Sequence, residues 1–361
     1  MNRLGRQIAA CAALAAVCLA PALPARAEPA VAESTVIRSI SFKSMALGRQ
    51  LQFSLYLPPG YDADDDVRKY PTIYLLHGHG GTDVSWLDQG GLRETADRLI
   101  ADGKLPPSII VMPFAQTGWY VDSSGPEGTG RWQTAILDDL ITYIDAKYPT
   151  IADGAARAIG GLSMGGYGAL RFALMEPDEF AAAASLSGAL FADVKSATDF
   201  PAFQIGLFGR TFGKTFDPVT FNAASPWRSI DDDGETVEET PALFMTWGDQ
   251  DIPILAAGNA KFVEALKAAR IPVTFSVSPG GHNWKLWAPQ TPPMLAFLGS
   301  RLKRGVTVAQ TGPVSDATRV AAGASTPETI ASGVKNAAPP PPNAAPGPKP
   351  LAPPKPIVAR P

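Results

Sequence analysis

The chain has 361 residues, a formal net charge of −3, and 45% hydrophobic residues. That hydrophobic share suits a globular core, and the slightly acidic balance supplies no basic field for nucleic acid or anionic lipid. Only two cysteines occur, Cys11 and Cys18, both in an N-terminal leader, so the mature chain is expected to lack disulfides, thiolate catalysis and cysteine metal sites.

Residues 1–27 read as a signal peptide. Arg3 and Arg6 supply the positive start, Ile8 to Leu19 the apolar run, and Ala25-Arg26-Ala27 a small-x-small cleavage site. The run is too short for a membrane span, so the mature chain is expected to begin at Glu28 and to be secreted or periplasmic, with no integral membrane span. A lipid-anchored start at Cys11 lacks the apolar segment that should precede it.

Thr72–Leu76 is apolar without alternation, as in a buried parallel strand, and runs into His77-Gly78-His79-Gly80-Gly81. Ser108–Pro113 reads as a second strand followed by a loop, Gln116–Ser123, and Thr134–Ile144 as a helix. Arg157–Ile159 reads as a strand end before Gly161-Leu162-Ser163-Met164-Gly165, and Tyr167–Leu174 as the helix after it. Ala182–Leu186 continues the sheet. Between Phe191 and Thr240 the aromatics Phe203, Phe208, Phe212, Phe216 and Phe221 could line a lid, although core packing is the plainer reading for most of them. Pro241–Trp247 is a strand, Lys261–Lys267 a helix, Val273–Val277 the last strand, and Leu295–Leu298 closes the domain. This alternation predicts an α/β domain over residues 28–304, with a mostly parallel central sheet and helices on both faces. From Gly305 to Pro361 the Ala/Pro-rich composition predicts a disordered tail with polyproline character, either a solvated end or an arm that contacts the cell envelope. The acidic runs Asp62–Asp66 and Asp231–Asp233 lack the ligand spacing of a calcium loop and read as solvated turns.

The chemistry concentrates around Ser163. In G-x-S-x-G a serine sits at a sharp strand-to-helix turn, with glycines where β-carbons would collide with neighbouring backbone. A serine needs a base, and only His282 of the three histidines follows it, in the turn Pro279-Gly280-Gly281-His282-Asn283-Trp284. The acid should stand between them after a strand, where Gly248-Asp249-Gln250-Asp251 offers two aspartates. Asp251 lies far enough into the loop to turn toward a histidine, while Asp249 is better placed to hold the turn. The loop at His77–Gly81 supplies an oxyanion donor, assigned to the His79 N–H with Gly80 as the alternative; the Met164 N–H is the second donor. A metal at His77 and His79 finds no third ligand, so neither metal nor cofactor is expected. Trp119, Tyr120 and Trp284 are the candidate pocket residues.

Taken together, His77-Gly78-His79-Gly80-Gly81 with Trp86, Gly161-Leu162-Ser163-Met164-Gly165-Gly166, Gly248-Asp249-Gln250-Asp251 and Gly281-His282-Asn283-Trp284 resemble the esterase D-type branch of the α/β-hydrolases. That branch includes feruloyl and acetyl-xylan esterases, S-formylglutathione hydrolases and mycolyltransferases. The resemblance spans about Ser39 to Leu302. It implies the α/β-hydrolase fold, Ser163 as nucleophile, Asp251 as acid, His282 as base, and backbone donors at His79 and Met164. The leader departs from the cytoplasmic glutathione-thioester enzymes, and Arg131-Trp132-Gln133-Thr134 resembles a mycolyltransferase segment. The expected activity is therefore exported hydrolysis of a carbohydrate-linked (feruloyl or acetyl) or short-chain acyl ester. Envelope acyl transfer is the alternative, and a scaffold that merely keeps the fold is a third reading.

Overall fold

The computed structural model describes residues 33–65, 67–123, 128–192, 194–200, 202–230 and 240–304. The expected signal peptide, the tail from Gly305, Asp66, the run Asp231–Asp233 and the Phe203 side chain lie outside the described residues.

Eight strands form one sheet: β1 (Thr35–Lys43), β2 (Gln50–Leu57), β3 (Thr72–Leu76), β4 (Ile109–Pro113), β5 (Arg157–Leu162), β6 (Ala182–Leu186), β7 (Ala242–Gly248) and β8 (Val273–Ser278). Their order is β1-β2-β4-β3-β5-β6-β7-β8. β1 pairs β2 and β2 pairs β4 antiparallel, and every later neighbour is parallel. The inner strands β3 to β6 are buried at every residue, which is why they read as continuous apolar runs.

Helices cover both faces. They are α1 (Leu92–Ala101); α2, built from Trp132–Thr134, a π-helical stretch Ala135–Leu140 and Ile141–Lys147; α3 (Met164–Met175); α4 (Ala202–Phe208); α5 (Pro218–Ala223); α6 (Pro253–Ala268); and α7 (Trp284–Arg301). The period-2 pleat sorts each strand's side chains between two cores. Tyr74 and Leu76 of β3 face the core shared with α2, α3 and α6, whereas Ile73 and Leu75 face the one shared with α1 and α7. Burying one such aliphatic side chain is worth about 1.5–3 kcal/mol. α7 is far longer than the Leu295–Leu298 segment expected to close the domain. Its three internal prolines, Pro289, Pro292 and Pro293, argue against a helix in sequence, yet Met294, Leu295 and Leu298 bury fully against the sheet and hold it.

The segment between β6 and β7 forms a cap. Phe191, Phe200, Phe208, Phe212, Phe216 and Phe221 pack ring to ring, with centroids 4.8–6.3 Å apart, and Trp119 joins them at 4.8 Å from Phe208.

Candidate active site

Ser163 stands between β5 and α3, as the N-cap of α3, with φ 53° and ψ −118°, a left-handed conformation that side chains rarely adopt. Neighbouring backbone holds it there. Its N–H donates to the Leu186 carbonyl at 2.9 Å, and its carbonyl accepts from Ala189 and Tyr167, each at 3.0 Å. A β-carbon at Gly161 would lie 2.2 Å from the Gly165 carbonyl oxygen, and one at Gly165 would lie 2.3 Å from that of Leu76. Glycine at both positions is thus a packing requirement of the turn. The hydroxyl stands at the N-terminus of the 12-residue α3, whose dipole favours negative charge there.

Three loops at the carboxyl edge of the sheet meet at this point, where open α/β sheets bind ligands. His282 Nε2 lies 2.9 Å from Ser163 Oγ, and His282 Nδ1 lies 2.7 Å from Asp251 Oδ1. The Asp251 side chain is fully shielded from solvent, whereas the imidazole keeps 17% exposure toward the cavity. Burial alone would raise the Asp251 pKa. The hydrogen bond and charge of His282, with the nearby Ser187 hydroxyl and the Ile252 N–H, outweigh it and hold the carboxyl below the usual carboxylate range. Asp249 is exposed and accepts the Gly280 N–H at 3.0 Å, fastening the turn that carries His282.

The loop after β3 runs beside the serine: a β-carbon at Gly78 would lie 3.4 Å from Ser163 Cβ. His77 secures its base. Nδ1–H donates to the Gly78 carbonyl at 2.7 Å and Nε2 accepts the Ala115 N–H at 3.0 Å, so both ring nitrogens are engaged. Burial pushes His77 down to about 4, which keeps it neutral. Asp83, buried at the far end of the loop, accepts from Ser39, Gln52 and Ser54 at 2.6–2.9 Å and ties the loop to β1 and β2. Among the described residues, no three His, Cys, Asp or Glu side chains cluster as a metal site.

A cavity of about 420 Å³ opens over Ser163 and His282. Gly78 to Gly81 form one wall, and Trp119, Phe191, Phe208, Ile252 and Leu255 an apolar one. Trp284 and Trp287 flank the histidine, and Gln89 is a polar group on the lining. The Leu207 carbonyl on α4 accepts from Trp119 Nε1 at 3.0 Å, so the cap is hydrogen-bonded to the apolar wall. Burial lowers the His79 pKa, and the nearby Leu207 carbonyl offsets part of that.

Trp119 and Trp284 line the cavity, but Tyr120 does not. Tyr120 is fully buried, its hydroxyl donates to the His77 carbonyl at 2.8 Å, and its ring packs on α3 at Gly168. Both residues have positive φ, 52° and 56°, and their side chains part company there. Of the expected lid aromatics, Phe208 reaches the cavity, while Phe212, Phe216 and Phe221 belong to the ring cluster behind it. Sequence reasoning missed Trp287, Phe191, Ile252 and Leu255. Trp287 alone carried a signal, standing three residues after Trp284 on one helical face.

The profile of the esterase family, described as "Putative esterase", matches residues 44–298. The chain belongs to this esterase family. It is 30% identical over 257 residues to an endo-1,4-beta-xylanase/feruloyl esterase of Xylanibacter ruminicola, covering 69% of this chain and 29% of that one. It is 31% identical over 265 residues to esterase Rv1288 of Mycobacterium tuberculosis, covering 68% and 55%. This esterase-family chain thus matches less than two thirds of the length of these curated relatives. A solved ferulic acid esterase superposes with a TM-score of 0.62 at 28% identity, covering 74% of this chain and 98% of that one. The fold is the α/β-hydrolase fold.

Proposed function

We propose that the protein is a serine carboxylic-ester hydrolase that works through an acyl-enzyme. The observation that carries this reading is the hydrogen-bonded series Ser163 Oγ, His282, Asp251, at 2.9 and 2.7 Å, opening on an apolar cavity. His282 Nε2 takes the Ser163 proton as Oγ attacks the ester carbonyl. Asp251 stays ionised, fixes the Nδ1–H tautomer and stabilises the imidazolium. The N–H groups of Met164 and His79 receive the oxyanion; a donor of this kind is worth about 10²–10³ in rate. His282 then protonates the departing alcohol, and water repeats the sequence to free the acid.

The substrate we assign is a carbohydrate-linked feruloyl or acetyl ester or a short-chain acyl ester. The feruloyl-esterase relatives support it, as do the aromatic and aliphatic walls over Ser163. The leader at residues 1–27 supports action outside the cytoplasm, with the tail as an arm toward the envelope. Ser163→Ala tests the chemistry: nitrophenyl acetate turnover should vanish, and retained turnover would refute the nucleophile. A product screen of feruloyl, acetyl-xylan and short-chain esters, with and without a sugar acceptor, tests the substrate. Free acid as product in both arms supports hydrolysis, and acyl transferred to the sugar would replace it with acyltransferase activity.

A further inference from the structure

His77 is a buried imidazole that the mechanism above does not use. Its ring packs against those of Phe114 and Tyr120, with centroids at 5.6 and 6.0 Å. Ala115, just after β4, donates its N–H to Nε2 at 3.0 Å. A ring nitrogen that accepts carries no proton, so the proton of the neutral imidazole sits on Nδ1. Nδ1–H donates to the Gly78 carbonyl at 2.7 Å, and the same carbonyl accepts the Gly81 N–H at 2.9 Å.

Three consecutive carbonyls at the end of β3 are held by buried side-chain donors. The Trp86 indole donates to Leu76 at 3.2 Å, the Tyr120 hydroxyl to His77 at 2.8 Å, and the His77 ring to Gly78. The third bears on the chemistry. The Gly78 carbonyl belongs to the same planar peptide unit as the His79 N–H, and in a trans peptide the two point opposite ways. Holding the oxygen on one side therefore fixes the direction of the N–H on the other. The turn agrees with this. Gly81 N–H on the Gly78 carbonyl closes residues 78–81, and the φ of 75° at Gly80 is that of the third position of a type II turn. Such a turn makes no use of the His79 N–H, which stays available to a ligand.

We propose that His77 is a positioning residue of the oxyanion hole, aiming the His79 N–H by holding the Gly78 carbonyl. This inference rests on the hydrolase reading above and on its assignment of the oxyanion to His79. Hydrogen bonds in series polarise one another, so a peptide whose oxygen accepts two donors presents a stronger N–H at its other end. The series runs from the Ala115 N–H through the imidazole and the Gly78 carbonyl to the His79 N–H. A histidine placed only to join the end of β3 to β4 would need the Ala115 bond and nothing at Nδ1.

The two bonds of the ring can be removed one at a time in the full chain. An asparagine amide nitrogen falls where Nδ1 stands, and a glutamine amide oxygen falls where Nε2 stands. His77→Asn thus keeps the donor to Gly78 and loses the acceptor for Ala115, and His77→Gln does the reverse. Each loses one buried bond, so both should melt below the parent by about 4–8 °C. Kinetics with nitrophenyl acetate should part them. His77→Gln should lower kcat about thirtyfold, a share of the roughly 10²–10³ that a whole oxyanion donor supplies, and His77→Asn no more than about threefold. KM should stay within about twofold in both, because the oxyanion forms only after binding. An alkyl trifluoromethyl ketone, whose adduct with Ser163 carries the oxyanion, should bind His77→Gln more weakly by the factor that kcat loses. Equal kcat in the two variants, a larger loss in His77→Asn, or parent-like ketone affinity in His77→Gln would overturn the proposal. Nitrogen NMR of the parent's histidines needs no variant to fold: it should show His77 protonated at Nδ1, and a proton on Nε2 instead would also overturn it. A parent that neither hydrolyses the ester nor takes an alkylfluorophosphonate label would overturn the functional reading, and this proposal with it.

Discussion

Replacing Gly165 with alanine couples stability to catalysis through one contact. A β-carbon there would lie 2.3 Å from the Leu76 carbonyl oxygen, 2.6 Å from its carbon and 2.7 Å from the His77 oxygen. All three atoms are backbone at the end of β3, so no flexible side chain can yield. Reaching 3.0 Å, the shortest approach that real β-carbons make, takes about 0.7 Å of relative movement between α3 and the start of the oxyanion loop. Overpacking of this kind costs about 1–3 kcal/mol, of which alanine's better helix propensity returns up to about 1. A net loss of about 2 kcal/mol corresponds to a fall of roughly 4–8 °C in Tm for a domain of this size. The larger effect is on rate, because a displacement near 1 Å at a catalytic constellation costs about 10²-fold. Differential scanning fluorimetry and nitrophenyl acetate kinetics on Gly165→Ala measure both. A variant with parent-like Tm and kcat would refute the claim that this glycine sets the spacing between Ser163 and the His77–Gly81 loop.

Asp251→Asn should lower kcat by about 10³–10⁴, because the amide favours the wrong imidazole tautomer, whereas Asp249→Asn should cost less than about tenfold; steady-state kinetics in the reverse order would move the acid to 249. His77 gives a pH dependence of stability. Its folded-state pKa of about 4 lies below the ordinary 6.5, so between those values the unfolded chain binds a proton that the folded chain excludes. Stability should therefore fall on acidification through that window, by about 3 kcal/mol in urea titrations, and His77→Gln should flatten the profile. Trp119→Phe removes the indole donor to the Leu207 carbonyl, about 1 kcal/mol. It should raise KM for nitrophenyl hexanoate about fivefold with kcat little changed, and a KM equal to the parent's would show that this bond does not hold the cap.

Much of the sheet was legible because its inner strands are short, wholly apolar and closed by glycine-rich turns, as at Thr72–Leu76 and Pro241–Trp247. Ser163 and His282 could be singled out for a different reason: the strand-to-helix glycine spacing marks one, and elimination among three histidines marks the other. Proximity of Asp251 to the imidazole follows from how the turn at Gly248 folds back, with the Asp251 N–H on the Gly248 carbonyl at 3.3 Å, and spacing alone could only favour it over Asp249. The pocket was the least legible part. Its lining comes from single residues on six or more separate segments, and no local periodicity joins Phe191 to Leu255. Tyr120 shows the limit from the other side: two adjacent aromatics share a loop, and only their left-handed backbone sends one to the cavity and the other beneath it. α7 was hidden by prolines whose local cost is offset by burial against a sheet that the segment itself does not encode.

The aromatic cluster under α4 and α5 divides labour within the cap. Its mutually packed rings give the roof cohesion of its own, while Leu207 and Phe208 sit at the margin that meets the cavity. Exchanges at that margin can therefore alter which acyl groups are admitted while the machinery on the sheet below goes untouched, so selectivity and chemistry in this molecule are free to diversify on separate schedules.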